Sequence, residues 1–269
     1  MKVTFANFGA EIASSRLRAI IPQRELGKLG IDQGKDVLIY GKHFLTASDV
    51  AGYGRLVFDI CDDHFNHATL GPYYREHADR ADVVTCNSVV MQQRIKIETG
   101  RDAVLVQEPY ESPEMAPAIG PYLLWYGHQS NFADLQRIEG DLEYPLLALS
   151  NHPLCVEWTL KVFRDAISKP CIVIIPTGKS QAKSENRMVE AIRCGRYVCA
   201  EHLPAYEPFD RFMPLGDIPA HIELALGNPE AATQAILAAQ DYIRDTYSPQ
   251  AIARQWLEVI HGIDNLQRA

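Results

Sequence analysis

The sequence predicts an α/β protein of two units, each a parallel, doubly wound sheet. Three observations predict it. Strand-length apolar runs alternate with helix-length stretches from the start of the chain to about residue 106. A segment rich in Pro, Glu and small residues, Glu111–Pro121 (ESPEMAPAIGP), then interrupts the pattern. After it the alternation begins again. The 269 residues suffice for two small domains, each with its own core.

The first half predicts strands over Val3–Phe8, Asp36–Tyr40, Leu56–Ile60, Val83–Cys86 and Ala103–Val106. Pro22 suits a first helical turn, Leu26 and Leu29 follow at helical spacing, and Gly30 ends the run. Pro72–Arg80 and Asn87–Thr99 are further helices, the second stopped by Gly100. In the second half Tyr122–Tyr126, Pro145–Leu149, Cys171–Ile175 and Tyr197–Ala200 are strand-like. Helices are expected over Val156–Ala166, Ser184–Arg193, Glu230–Asp245 and Pro249–Ile263, the last carrying Trp256 on an apolar face. The expected domains are therefore 1–112, a linker at 113–121, and 122–269 with both terminal helices in the second. Ligands of such sheets bind outside the carboxyl ends of the strands.

A net charge of -8 argues against a broad nucleic-acid footprint. No run reads as a signal peptide or approaches membrane-spanning length, so a cytoplasmic protein is expected. Six scattered cysteines with no CxxC read as reduced, small core residues. Trp125 and Trp158 lie in apolar runs and are expected in the core. Gly9 lacks a GxGxxG context, so a nicotinamide site is disfavoured.

The most informative stretch is Pro176–Leu203 (PTGKSQAKSENRMVEAIRCGRYVCAEHL). A polar loop with Lys179 and Lys183 follows a strand, and Ser184 can cap the helix after it. A helix N-terminus presents unpaired N–H groups and a positive dipole end, a natural seat for phosphate. Arg187, one turn in, could add a bidentate donor. Asn186, Glu190 and Arg193 share a face, while Met188, Ala191 and Ile192 can turn to the core. A carboxylate at Glu190 could then take the two hydroxyls of a ribose. The same pattern also fits an ordinary capped helix with solvated charges.

Lys183–Gly195 (KSENRMVEAIRCG) with the strand after it resembles the donor-nucleotide motif of GT-B glycosyltransferases of the family 4 type. Other stretches are similar in order: Ser14–Arg18 (SSRLR), Leu56–His64 (LVFDICDDH), Ala81–Ser88 (ADVVTCNS), Gln107–Glu111 (QEPYE) and Leu124–Gly127 (LWYG). The resemblance spans roughly residues 1 to 260 and implies two Rossmann-like domains facing each other across a cleft. It implies a UDP-, GDP- or ADP-linked sugar donor on the second half and an acceptor on the first. It also implies retention at the anomeric carbon, no cofactor and no obligatory metal. On it, Glu190 takes the ribose, while Lys183, Ser184, Asn186 and Arg187 border the diphosphate. The loop from Gly127 and His128 lies over the phosphates or the sugar.

The family pattern is departed from in three places. Ala182 stands where many members carry a glutamate. The loop Gly127–Asn131 holds no Arg or Lys before Arg137. The chain is short for this fold. A catalytically degenerate binding protein is one alternative reading; a nucleic-acid base glucosyltransferase, disfavoured by the acidic charge, is another.

Asp62 and His64, after a strand end, could orient or deprotonate an acceptor hydroxyl. With Asp63 and His67 they have the residue types of a metal site, but the spacing matches no closed one. Ser15, Arg16 and Arg18 could meet a phosphate or an anionic acceptor, or form ion pairs of their own.

Overall fold

A computed structural model describes residues 1–178 and 181–265 and divides the chain into two units. The first holds Met1–Glu111, the short segment Ala182–Ser184, and the chain from Thr246 onward. The second holds Ser112–Gln181 and Glu185–Asp245.

In the first unit, β1 (Val3–Phe5), β2 (Val37–Tyr40), β3 (Arg55–Ile60), β4 (Val83–Cys86) and β5 (Ala103–Leu105) form a parallel sheet in that order. Alternation along the strands divides the core in two. Val37 and Ile39 join Val3, Phe5 and Val57 on one face; Leu38, Tyr40, Phe58 and Ile60 fill the other. The first face is covered by α2 (Ile21–Lys28) and, as named below, the last helix of the chain. The second is covered by α3 (Ala47–Val50), α4 (Leu70–Arg80) and α5 (Val89–Thr99).

Every crossover in this sheet steps to the next strand in the same direction, so crossovers of one hand would put all helices on one face. The β1–α2–β2 connection therefore has the opposite hand from the three that follow. The chain leaves β1 toward one face and β2 toward the other. A gap opens at the carboxyl ends of those two strands, as at a strand-order reversal.

The helical stretch before α2 begins earlier than Pro22. It runs through α1 (Ala13–Ser15) and a wide π turn, Arg16–Ile20. The wide turn ends just before Pro22, whose ring offers no N–H to an ordinary helical turn.

The second sheet contains β6 (Leu123–Tyr126), β7 (Leu146–Ser150), β8 (Val156–Glu157), β9 (Ile172–Ile175) and β10 (Tyr197–Ala200), in the order β10-β9-β6-β7-β8, all parallel. The order reverses between β6 and β9. Their pairing covers Leu123–Ile172 and Leu124–Val173, while β9 and β10 pair through Ala200–Ile175. The carboxyl halves of β6 and β9 are thus free to part, at the point where such sheets take ligands. Around them lie α6 (Phe132–Glu139), α7 (Leu160–Ile167), α8 (Asn186–Arg193), α9 (Ile218–Gly227) and α10 (Pro229–Thr246).

Three sequence expectations are corrected here. The helix expected from Val156 starts at Leu160: Val156 and Glu157 pair with β7, and the Thr159 hydroxyl caps the helix by accepting from Val162 N–H at 3.1 Å. The segment after Glu111 does not hang free as a linker. Met115 N–H donates to Arg193 C=O at 3.1 Å and Ala118 N–H to Gly195 C=O at 3.0 Å. Gly195 has φ 68°, and a Cβ there would sit 2.3 Å from Ala116 O, so the approach requires glycine.

The last helix, α11 (Pro249–Asn265), belongs to the first unit rather than to the domain 122–269. Ile252, Trp256, Ile260 and Ile263 pack with Val3, Phe5 and Leu26, and the Trp256 ring meets Phe5 edge-on at 5.2 Å. Its apolar face is evident in the sequence; the surface that face covers is not. Trp125 is fully buried, as expected, whereas Trp158 is half-buried. The cysteines are all free, and Cys86, Cys171, Cys194 and Cys199 are buried.

Candidate functional site

In the second unit the candidate site is built at the carboxyl end of β6. β6 ends at Tyr126, so Gly127 begins the loop at the reversal point. A Cβ on Gly127 would lie 3.2 Å from the Trp125 ring and 3.4 Å from Arg187 Nη1, so glycine admits the guanidinium. The two segments are tied reciprocally. Tyr126 OH donates to Arg187 C=O at 2.7 Å, and Arg187 Nη1 donates to Tyr126 C=O at 3.4 Å.

One turn along α8, Glu190 is 4% exposed and accepts from Ser112 N–H at 3.3 Å. Burial holds the Tyr126 phenol in its neutral form, well above its usual pKa, and the nearby Glu190 adds to this. Met188, Ala191 and Ile192 anchor the helix in the core, as their spacing predicts, and Val189 is buried with them. Asn186 is half-buried at its first turn.

Ser184 does not cap α8. The N-cap is Glu185, whose side chain makes no cap bond, while the Ser184 hydroxyl donates to Glu108 at 2.6 Å. Lys183 and Ser184 fall in the first unit, and Lys179 lies outside the described residues. His128 is exposed; its Nδ1 accepts from Ser130 N–H at 3.3 Å and caps the short turn Gln129–Asn131.

In the first unit the strand ends converge on a crevice lined by Phe5, Phe8, Ser15, Lys42, His43 and Cys61, among others. It sits at the β1–β2 gap described above. Asp62 follows β3 and pairs with Lys42 Nζ. His64 Nε2 lies 3.9 Å from Asp62 Oδ2. Burial lowers the His64 pKa, partly opposed by Asp62, so the imidazole is held toward its neutral form. Among the described residues no group of three His, Cys, Asp or Glu side chains is placed to hold a metal ion.

Arg18 is not a phosphate ligand in this arrangement. It is 5% exposed and grips Asp59 with Nε at 2.9 Å and Nη2 at 2.6 Å. Its Nη1 donates to the carbonyls of Val106 and Gln107, and its guanidinium lies 5.2 Å over the Trp256 ring. Burial works against the charge, but Asp59 outweighs it and raises the pKa. Arg16 forms a bidentate pair with Glu111 at 2.6 and 2.8 Å and donates to Ala10 C=O. Ser15 is buried, and its Oγ accepts from Phe8 N–H at 3.0 Å, fixing the loop after β1.

Sequence reasoning passed over Lys42, Asn87 and Glu108. Glu108 is 6% exposed and takes hydrogen bonds from Ser184 and from Asn87 Nδ2 at 3.3 Å; burial raises its pKa, with Arg18 acting against this. Each of the three stands one to three residues past a strand end, the position that could have singled them out.

No known family model matches the chain, and no curated protein matches it. Solved structures do. The structure of TarM aligns with a TM-score of 0.56 at 14% identity, over 88% of this chain and 57% of that one. This chain thus spans little more than half the length of TarM. An alpha-glucosyltransferase in complex with UDP-glucose and DNA containing an abasic site aligns at 0.53 and 11% identity, over 90% and 84%. The DNA modifying enzyme beta-glucosyltransferase, solved with and without uridine diphosphoglucose, aligns at 0.56 and 11% identity, over 98% and 99%. With its two parallel five-stranded sheets, the chain has the fold of the GT-B glycosyltransferases.

Proposed function

We propose that this chain is a glycosyltransferase. In this reading the second unit holds a nucleotide-sugar donor at the ends of β6 and β9, and an acceptor hydroxyl receives the sugar. The observation that carries the reading is Glu190: a carboxylate 4% exposed, on the helix whose Arg187 is tied to the strand end at the reversal point. A buried carboxylate is held by the hydrogen bonds it accepts, and on this reading two ribose hydroxyls would join the Ser112 N–H as donors to it.

Arg187 and the uncapped first turn of α8 would stabilise charge building on the leaving phosphate. In the first unit, His64, held toward neutrality, has the protonation state of a general base, with the Asp62 carboxylate 3.9 Å away. That no metal is obligatory is implied by the family resemblance alone. Retention at the anomeric carbon is supported by the family resemblance alone, and proton NMR of the first-formed product checks it.

Calorimetric titration of the whole chain with UDP, GDP and ADP tests the donor site. Glu190→Gln should weaken the preferred nucleotide about tenfold to a hundredfold, the worth of one or two hydrogen bonds to a charged group. Arg187→Ala should weaken it in the same range with the fold retained. Failure of all three nucleotides to bind would leave a degenerate binding protein as the better reading. Of the similar structures, one is in complex with DNA and another is of a DNA modifying enzyme; a salt-sensitive gel shift with duplex DNA would favour a nucleic-acid acceptor instead.

A further inference from the structure

The crevice at the ends of β1 and β2 carries features that the donor site does not explain. Two large aromatic side chains stand open at it: Phe8, after β1, lines the crevice and is 43% exposed, and Phe44, next in sequence to the lining residue His43, is 53% exposed. The rings are not loose. Phe8 stacks on His43 with centroids 3.9 Å apart and planes 5° from parallel. Phe44 lies 5.0 Å from the Tyr73 ring. Phe44 also has φ 51°, a left-handed conformation that costs a non-glycine residue energy and persists where the surroundings impose it.

Those surroundings are visible. Tyr73 OH donates to Gly41 C=O at 3.1 Å and accepts from Leu45 N–H at 3.4 Å, clamping both ends of the Lys42–Phe44 loop. A strained loop clamped at both ends, with its aromatic side chain exposed, is a poor way to build a core and a good way to hold a platform.

The charges in the crevice and on the residues beside it say what the platform takes. Lys42 is paired with Asp62, Arg18 with Asp59, and Arg16 with Glu111. His43 and His64 are both pushed toward neutrality, in each case chiefly by burial. A phosphate would find every one of these cations already balanced by a carboxylate, and would bring a second negative charge beside it. What is offered instead is a set of short polar groups, with Ser14 on the crevice wall and Asp62 and His64 just past the lining residue Cys61, all half-buried, beside flat apolar faces. A sugar ring matches both. Its C–H face lies on an aromatic ring, and its hydroxyls bond carboxylate, imidazole and hydroxyl groups.

We propose that this crevice is the subsite for a neutral carbohydrate without phosphate, seated on Phe8 and Phe44. That the carbohydrate is the acceptor rests on the glycosyltransferase reading; that it binds here does not.

The test is saturation-transfer NMR on the full chain with methyl α-D-glucopyranoside, maltotriose, glucose 6-phosphate and a short DNA duplex, together with calorimetry of UDP. At least one neutral saccharide should receive saturation on its ring C–H protons. Phe8→Ala and Phe44→Ala should each weaken it about tenfold, equivalent to about 1.4 kcal/mol, while UDP affinity stays unchanged. Phe8→Trp should preserve binding. The proposal is overturned if neither neutral saccharide receives saturation, if glucose 6-phosphate or DNA binds more tightly, or if both alanine variants bind as the parent does. Saccharide binding without any UDP binding would remove the transferase reading and leave the subsite standing.

Discussion

Replacing Arg18 by methionine tests the reassignment of that residue from ligand contact to structural tie. The guanidinium makes two hydrogen bonds to Asp59, at 2.9 and 2.6 Å, and two to the carbonyls that follow β5. Methionine keeps much of the volume beside Trp256 but none of the donors. Asp59, 7% exposed, would keep the Thr85 hydroxyl as a donor at 2.7 Å. Removing one partner of a buried ion pair costs about 3–5 kcal/mol, most of it the price of the charge left behind. Urea unfolding followed by Trp fluorescence should show that loss as a lower midpoint at unchanged slope. Adding Asp59→Asn should recover part of it, because the stranded charge is then gone. Nucleotide affinity of the folded fraction should not change. The reasoning is refuted if Arg18→Met costs less than about 1 kcal/mol, the range of an exposed pair, while nucleotide binding is lost.

Other perturbations follow from the same geometry. Burial raises the Glu108 pKa above its ordinary 4.5, so the neutral acid favours the fold. That stability is fully present below 4.5 and is lost as pH rises through the native value. Glu108→Gln should therefore flatten the fall in stability on the alkaline side of 4.5, seen by thermal melts across pH. The His64 pKa is lowered, so its contribution is present above 6.5 and is lost as pH falls through the native value. If His64 is the base, transfer rates should climb with pH to a plateau with the midpoint of the rise below 6.5, and His64→Asn should lower the plateau about a hundredfold, the low end of general-base effects. Trp256→Ala empties a fully buried site against Phe5 and should cost about 3–5 kcal/mol. Hydrogen exchange should then show the strands of the first unit, β1 and β2 foremost, losing protection.

The division into two α/β units, the strand positions and the buried face of α8 follow from periodicity, a local property of the chain. β-branched runs such as Ile172–Ile175 and the spacing of Met188, Ala191 and Ile192 suit one kind of local structure each, whatever they pack against. Three things were decided only in three dimensions. The apolar stripe of α11 could have covered either sheet, and contact with Val3, Phe5 and Leu26 decided which. The partner of each charge was set by segments far apart in sequence: Arg18 found Asp59, and Ser184 turned from the helix it precedes to Glu108. The crevice beside Phe8 exists because the β1–α2–β2 crossover has the opposite hand from its neighbours, and handedness is a relation between elements that no local run of residues carries.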